Sequence, residues 1–512
     1  MRILYENGDI LTMKGSKPTY AECVLVEDGI IQKVRKKEEM KPLLDENTFI
    51  RDLKGNTMLP SFMDSHSHIT ALAQSLTLAN LSHCKNFDAI SKTVREYTKK
   101  KKIKKGEWII GFGYDHNFLE EKKHPDCSVL DKTNLPNPIC ITHASGHMGV
   151  FNTIALEELG LTNMTNGYLE EKEFMEALQN IDFSQEGKLE QAVEEAQEIY
   201  LKNGITTVQD GLTKEKDFLL LQKVANHHKL KVDVICYPEF MQERHIVKEN
   251  PSYQNYQNRL KIGGYKIVLD GSPQGKTAWL LEPYEGETKY KGHPNYSDAE
   301  VSLAVETAIK EGKQLLAHCN GDAASEQFIR TFEKQRKPIK IRPVMIHAQL
   351  VEKTQLIRMK EVNMIPSFFV NHVYYWGDVH MKNLGKRAER ISPVKDAITL
   401  KLVYTLHQDS PVLMPNMLET IWCAAVRKTK EGVTLGKEEI ISVYEALEGI
   451  TKNVAYQYFE EDKKGTIEKG KLADFVVLDQ NPLKVAKEEI KNIMILETIK
   501  EGTVLYRKGE KR

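Results

Sequence analysis

Apolar positions recur along the middle of the chain in two alternating rhythms. In SDAEVSLAVETAIKEGKQLLAH, Val301, Ala304, Val305, Ala308 and Ile309 fall at the three- and four-residue steps of one helix face. Ser297 and Glu300 stand before them at capping-box spacing, and Gly312 fits the left-handed cap after them. QLLAH then reads as a short buried strand. QEGKLEQAVEEAQEIYLKNGITTVQDG repeats the logic, with Gly204 as the helix stop and ITTVQ as the strand. VDVICYP, YKIVLDG, PVMIHAQ and MIPSFF are further apolar runs of strand length. Repeated helix-then-strand units predict an α/β fold with a parallel sheet, and eight such units would close a TIM-like (β/α)8 barrel.

The two ends have a different rhythm. Ala21 to Glu27 (AECVLVE) is a short apolar run, and Gly29 supplies a turn before IIQKV. Near the other end, Thr466–Ile467 and Phe475–Leu478 lie around Gly470, and another strand pair lies around Gly502. Two β-rich ends around an α/β middle predict that the termini meet in one small β domain. No segment repeats at the 20–50-residue period of a solenoid.

Composition narrows the class. The 512 residues carry 72 Lys plus Arg and 72 Asp plus Glu, so the formal net charge is zero. That balance gives no electrostatic footprint for nucleic acid. Lys99–Lys105 (KKKKIKK) reads as a solvated helix end. With 41% hydrophobic and 28% charged residues, the chain reads as globular rather than disordered. No apolar run approaches the ~18 residues of a spanning helix, so no membrane partner is expected. MRILYENGDILTM lacks an apolar signal core, and seven Cys without a CxxC pair fit a reducing compartment. A cytoplasmic enzyme acting on a small molecule is the expectation.

The chemistry sits at predicted strand ends. In LPSFMDSHSHI, His66 and His68 are two apart and share a face if the backbone is extended. LLAHCNGD places His318 at the end of a buried run, and PVMIHAQ places His347 likewise. LHQDSPV puts Asp409 after the last strand-like run, and YKIVLDG offers Lys266 and Asp270. Residues at the C-terminal ends of parallel barrel strands converge on one rim. Four imidazoles and a carboxylate there suit a divalent metal, zinc first, with positions left for water. Cys319 should face away from His318 and pack. His83, His116, His124, His227, His228, His245 and His293 read as surface or packing residues.

These motifs resemble the metal-dependent amidohydrolase superfamily, and within it the branch of N-substituted formamide deformylase, often called YtcJ-like. LPSFMDSHSHI is similar to the first-strand metal motif, and THASGHMGVFNTIAL to the branch signature. YKIVLDGSPQGKTAWLLEPY is similar to the fourth-strand Lys motif; HCNGDAA and IHAQL resemble the fifth- and sixth-strand His motifs. HQDSPVLMPN and GTIEKGKLADFVVLD complete the set. Two departures are Cys319 and Gln408, where small residues are common; neither removes a ligand. The resemblance implies a barrel over residues 58–458 with an insertion at about 75–200. Residues 1–57 and 459–512 would form a β-sandwich. Dimers are common in the superfamily, though nothing in this sequence requires one.

The resemblance implies a metal set of His66, His68, Lys266, His318, His347 and Asp409, holding one or two ions. In the resembling family a strand-four Lys often acts as a carbamate, since a free ammonium has no lone pair to offer. Lys266 is expected to do so, the alternative being an unmodified Lys266 paired with a carboxylate such as Asp409 beside a single metal. Asp409 is expected to shuttle the catalytic proton. His147, in SGHMGVFN, is expected to reach substrate. So is the seventh-strand loop FFVNHVYYWGDVH, with His372, His380, Tyr374, Tyr375 and Trp376. The expected reaction is hydrolysis of a non-peptide C–N bond: an amide, an N-formyl group or a cyclic amide. A deaminase of the same superfamily commonly places Glu three residues after the fifth-strand His, where this chain has Gly321. A catalytically inactive regulatory barrel is the third alternative.

Overall fold

The computed structural model describes all residues except 41, 43, 144–147, 182–186, 336–338 and 511–512. Local rules account for many of its elements. The helix Asp298–Glu311 begins on a complete Ser297/Glu300 capping box and stops at Gly312, whose φ of 64° costs a glycine little. Val301, Ala304, Val305 and Ala308 form its buried face. The strand Gln314–Cys319 follows.

Two compact units divide the chain: residues 1–70 with 197–512, and residues 71–196. In the first, one parallel sheet runs in the order Leu260–Ile262, Asp233–Pro238, Ile205–Thr213, Phe62–Met63. A second parallel sheet runs Gly264–Val268, Gln314–Cys319, Val344–His347, Ile365–Phe368, Thr405–Leu406. The YKIVLDG strand is thus preceded by a short segment in the other sheet, and the two are separated only by Gly263. A side chain at Gly263 would strike the Tyr237 ring. Leu316, Val344, Ile346, Ile365, Ile235 and Met63 pack in one cluster beneath the strand ends.

The chain ends share one eight-stranded sheet. Phe475–Leu478 pairs antiparallel with Thr57–Pro60, which lies beside Arg2–Leu11. The boundary expected after residue 57 therefore falls inside a strand. Tyr5, Val24, Ile31, Met58, Phe475 and Ile499 make its core.

A buried ion network ties the closing segment to the first parallel sheet. Asp233 accepts from Lys464 and Lys500, each at 2.6 Å, and Arg259 lies at 3.2 Å. Glu460 pairs with Lys464 at 2.6 Å and with Lys261. Removing Asp233 leaves two buried ammonium groups with less compensation. Asp233→Ala should therefore destabilise by about 3–5 kcal/mol, read from urea unfolding. Burial alone would raise the Glu460 carboxyl, but Lys464 and Lys261 outweigh it and bring it down to about 2. Its stabilising contribution is present above its ordinary value near 4.5 and is lost as the pH falls towards 2. Glu460→Gln should remove that part of the acid dependence.

The 71–196 unit has its own five-stranded sheet, ordered Tyr168–Glu170, Met148–Phe151, Ile139–His143, Ile109–Tyr114, Ala79–Asn80. Helix Phe87–Lys101 packs Ile90 and Val94 inward and ends in the lysine run, with Lys102 left-handed at φ 52°. Asn152 caps Thr153–Glu158 through its side chain.

Candidate metal centre

The strand ends of the first unit bring six predicted residues into one neighbourhood. His66 and His68 lie beyond the short strand Phe62–Met63 rather than on it. Their rings still meet, with centroids 4.9 Å apart. His66 Nε2 is 3.2 Å from Lys266 Nζ and 3.5 Å from Asp409 Oδ1. His68 Nε2 is 3.2 Å from the same oxygen. His66, His68 and Asp409 can hold an ion between them. His347 Nε2 lies 3.0 Å from His318 Nδ1 and 3.9 Å from Asp409 Oδ2.

Outer contacts fix how these rings face. Gln209 Nε2 donates to the Ser65 carbonyl at 2.6 Å, so its Oε1 must face His66 Nδ1, 3.0 Å away. His66 therefore carries its proton on Nδ1 and turns the Nε2 lone pair inward. His318 Nε2 is 3.0 Å from the Gly271 carbonyl, an acceptor, and 3.0 Å from the Asn320 side-chain amide, a donor that also reaches that carbonyl at 2.7 Å. With the proton on Nε2 donated to Gly271, Nδ1 carries the lone pair. His347 Nδ1 contacts His407 Nε2 at 3.2 Å, and His407 Nδ1 contacts Ser367 Oγ at 2.8 Å. When that chain of protons points outward, the lone pairs of His318 and His347 face each other. They repel at that distance unless a cation lies between them, so the donor set fits a divalent metal.

Electrostatics keep these rings neutral. Burial, then the Lys266 charge, holds His66 far below its usual value and brings His318 down to about 4. Burial, then His318, does the same to His347. Neutral imidazoles are the form that ligates. Burial would raise the Asp409 carboxyl, but the His68 hydrogen bond and the neighbouring imidazoles hold it well below the carboxylate range. Burial pushes Lys266 down to about 7, against the pull of Asp409.

Backbone conformation serves this arrangement. His347 and Asp409 are both left-handed, at φ 74° and 55°. Strict alternation would send His347 to the face opposite Val344 and Ile346; the left-handed turn breaks that alternation where its ring meets His318. Such strain costs on the order of 1–3 kcal/mol per residue and clusters at functional sites. Gly211 leaves room for a ring: a Cβ there would lie 2.5 Å from His66 Cε1. Asp270 does not join Lys266. It accepts from the amides of Trp279, Asn320 and Gly321 at 2.7–3.0 Å and so shapes the turn after His318.

The amidohydrolase family profile matches residues 50–506. The chain belongs to the amidohydrolase family. N-substituted formamide deformylase of Arthrobacter pascens is 24% identical over 541 residues, covering 98% of this chain and 97% of its own. YtcJ of Bacillus subtilis (strain 168), which carries an amidohydrolase name, is 24% identical over 537 residues, covering 99% of this chain and all of its own. An uncharacterised metal-dependent hydrolase from Pyrococcus horikoshii OT3 superposes with a TM-score of 0.79 at 25% identity, covering 95% of this chain and 99% of that one. Membership makes this chain an amidohydrolase enzyme, with metal-dependent hydrolases as structural neighbours.

In this amidohydrolase the segment expected as a seventh-strand loop is the helix His372–Leu384. Its aromatic residues divide by helix face. His372, Trp376 and His380 are spaced at steps of four: the His372 ring lies 4.6 Å from Trp376 at a tilt of 53°, and it stacks on His380, with its Nδ1 3.2 Å from His380 Nε2. Phe369 links this face to His347. Tyr374 packs instead on Trp422, and the Tyr375 hydroxyl donates to Glu419 at 3.1 Å. His147 lies outside the described residues. Sequence reasoning missed Gln209 and His407. His407 stands two residues before Asp409, the same spacing as His66 to His68, and that was the available signal. His407→Ala should weaken metal affinity about 10–100-fold in chelator competition, because it leaves His347 Nδ1 without its partner.

Proposed function

We propose that this amidohydrolase cleaves a non-peptide C–N bond, in an amide, an N-formyl group or a cyclic amide, at a divalent metal centre. The observation that carries the reading is the convergence of the His66, His68, His318 and His347 imidazoles with Asp409 and Lys266 in one buried neighbourhood. In this reading the two parallel sheets are halves of one (β/α)8 barrel spanning 58–458, and the terminal sheet belongs to a β-sandwich built from 1–57 and 459–512.

His66, His68, His318, His347, Asp409 and a carbamylated Lys266 would hold one or two ions, zinc first. Such an ion supplies an acidified water and polarises the scissile carbonyl. Asp409, kept ionised by its neighbours, takes the proton of the attacking water at a carboxylate oxygen. It then delivers that proton to the leaving nitrogen, so water adds across the C–N bond to give an acid and an amine. His372 and Trp376 form an aromatic wall for a small substrate. All seven cysteines are free thiols, which fits a cytoplasmic protein.

A deaminase reading is disfavoured at Gly321. A Cβ there would lie 1.8 Å from the Trp279 carbonyl oxygen, so no acidic side chain fits that position. A panel of N-formyl amines, N-acyl amino acids, cyclic amides and aminopurines tests the choice. Turnover of an N-substituted formamide or another amide, with none on aminopurines, is the expected result. Ammonia release from aminopurines alone would overturn it.

A further inference from the structure

The 71–196 unit carries another group of imidazoles, made from its own residues. Asp115 and His116 follow the strand Ile109–Tyr114, and His143 ends the adjacent strand Ile139–His143. The strands are parallel and pair Tyr114 with His143, so all three residues emerge at one end of the sheet. His116 Nδ1 is 3.4 Å from His143 Nε2. Asp115 Oδ1 is 3.5 Å from that nitrogen and 3.9 Å from His116 Nδ1.

These spacings suit ligation as well as weak hydrogen bonding. The separations of 3.4, 3.5 and 3.9 Å all lie beyond the ~2.7–3.2 Å usual for a hydrogen bond. Two ligand atoms each about 2.1 Å from a tetrahedral ion stand roughly 3.4 Å apart. The triangle of 3.4, 3.5 and 3.9 Å therefore has the size of three tetrahedral ligands. Asp115 is held in place by the Asn117 backbone and side-chain amides, at 2.9 and 3.0 Å. Burial would raise its carboxyl, but those bonds and His143 outweigh it, so it stays anionic. His124 backs the site, its ring 4.0 Å from His116 and its Nδ1 3.2 Å from the Tyr114 hydroxyl. The His116 side chain keeps 29% of its surface exposed, which gives an ion access.

We propose that Asp115, His116 and His143 form a second divalent transition-metal site, for zinc or an ion of similar preference. Two imidazoles and one carboxylate make three ligands, the number that leaves a tetrahedral ion one position for water or a small ligand. Binding there would pin the segment after Tyr114 to the end of the Ile139–His143 strand.

The test uses the full chain, stripped with chelator, saturated with zinc alone and freed of excess metal. Elemental analysis should find one zinc per chain fewer in the His116→Asn/His143→Asn variant than in the wild type. A His66→Ala/His68→Ala variant should keep that zinc. Equal zinc in the wild type and the His116→Asn/His143→Asn variant would overturn the site. If either variant fails to fold, a zinc-soaked wild-type crystal decides. An anomalous zinc peak bounded by Asp115, His116 and His143 supports the proposal, and a featureless map there at full zinc occupancy elsewhere refutes it.

Discussion

Asp409→Asn should lower turnover by about 10³-fold while changing the Michaelis constant little, a loss of about 4 kcal/mol of transition-state stabilisation. The substitution keeps shape and an oxygen but removes the capacity to take a proton. Position should survive, because the backbone amide of Asp409 donates to the His66 carbonyl at 3.1 Å whichever side chain is present. A variant within tenfold of wild-type turnover on an identified substrate would remove Asp409 from proton transfer. The split matters: an interaction made only in the transition state lowers turnover, whereas uniform binding raises the Michaelis constant.

Lys266→Ala should lower activity by about 10²-fold or more, with partial recovery in added formate, acetate or propionate. Lys266 is fully buried, 3.2 Å from His66, and its ammonium is pushed down to about 7. An ordinary lysine is about one part in a thousand neutral near pH 7.4. Lys266 is substantially neutral there. Its nitrogen lone pair can then attack the carbon of carbon dioxide, forming an N–C bond and releasing one proton. The resulting carbamate is anionic and offers two oxygens, which a small carboxylate imitates. The linkage has a definite sign in the metal-free, unmodified protein. Between about pH 7 and the ordinary lysine value near 10.5, the unfolded chain binds more protons, so stability rises with pH across that window. A mass of unmodified Lys266 in protein prepared with bicarbonate, together with no carboxylate rescue, would count against the carbamate.

Much of this was legible in the sequence. The capping box at Ser297 and the stop at Gly312 lie where the spacing put them, because both are local rules satisfied by a few residues. His66, His68, His318, His347 and Asp409 were readable as strand-end residues. What placed them together was not. His347 sits on the wrong parity for its strand and depends on a left-handed backbone, which no periodicity encodes. The interruption at Gly263 was invisible because LKIGGYKIV is apolar on both sides of it. The seventh-strand segment was read as a loop, although His372, Trp376 and His380 at steps of four already described one helix face.

The supporting residues were harder to find. Gln209 lies inside a run that reads as an ordinary buried strand, and its importance comes from an amide fixed by a carbonyl 144 positions away in sequence. Asp270, four residues after Lys266 in YKIVLDG, is claimed instead by three backbone amides. His116 and His124 read as surface or packing residues, since only the pairing of Ile109–Tyr114 with Ile139–His143 brings them beside His143.

The most direct test of metal-dependent C–N hydrolysis is a chelation and restoration assay on the wild-type chain with its best amide substrate. The stripped protein should lose activity, stoichiometric zinc should restore it, and His66→Ala protein should not be restored by the same addition. Full turnover by protein shown by elemental analysis to hold no metal would contradict metal-dependent hydrolysis.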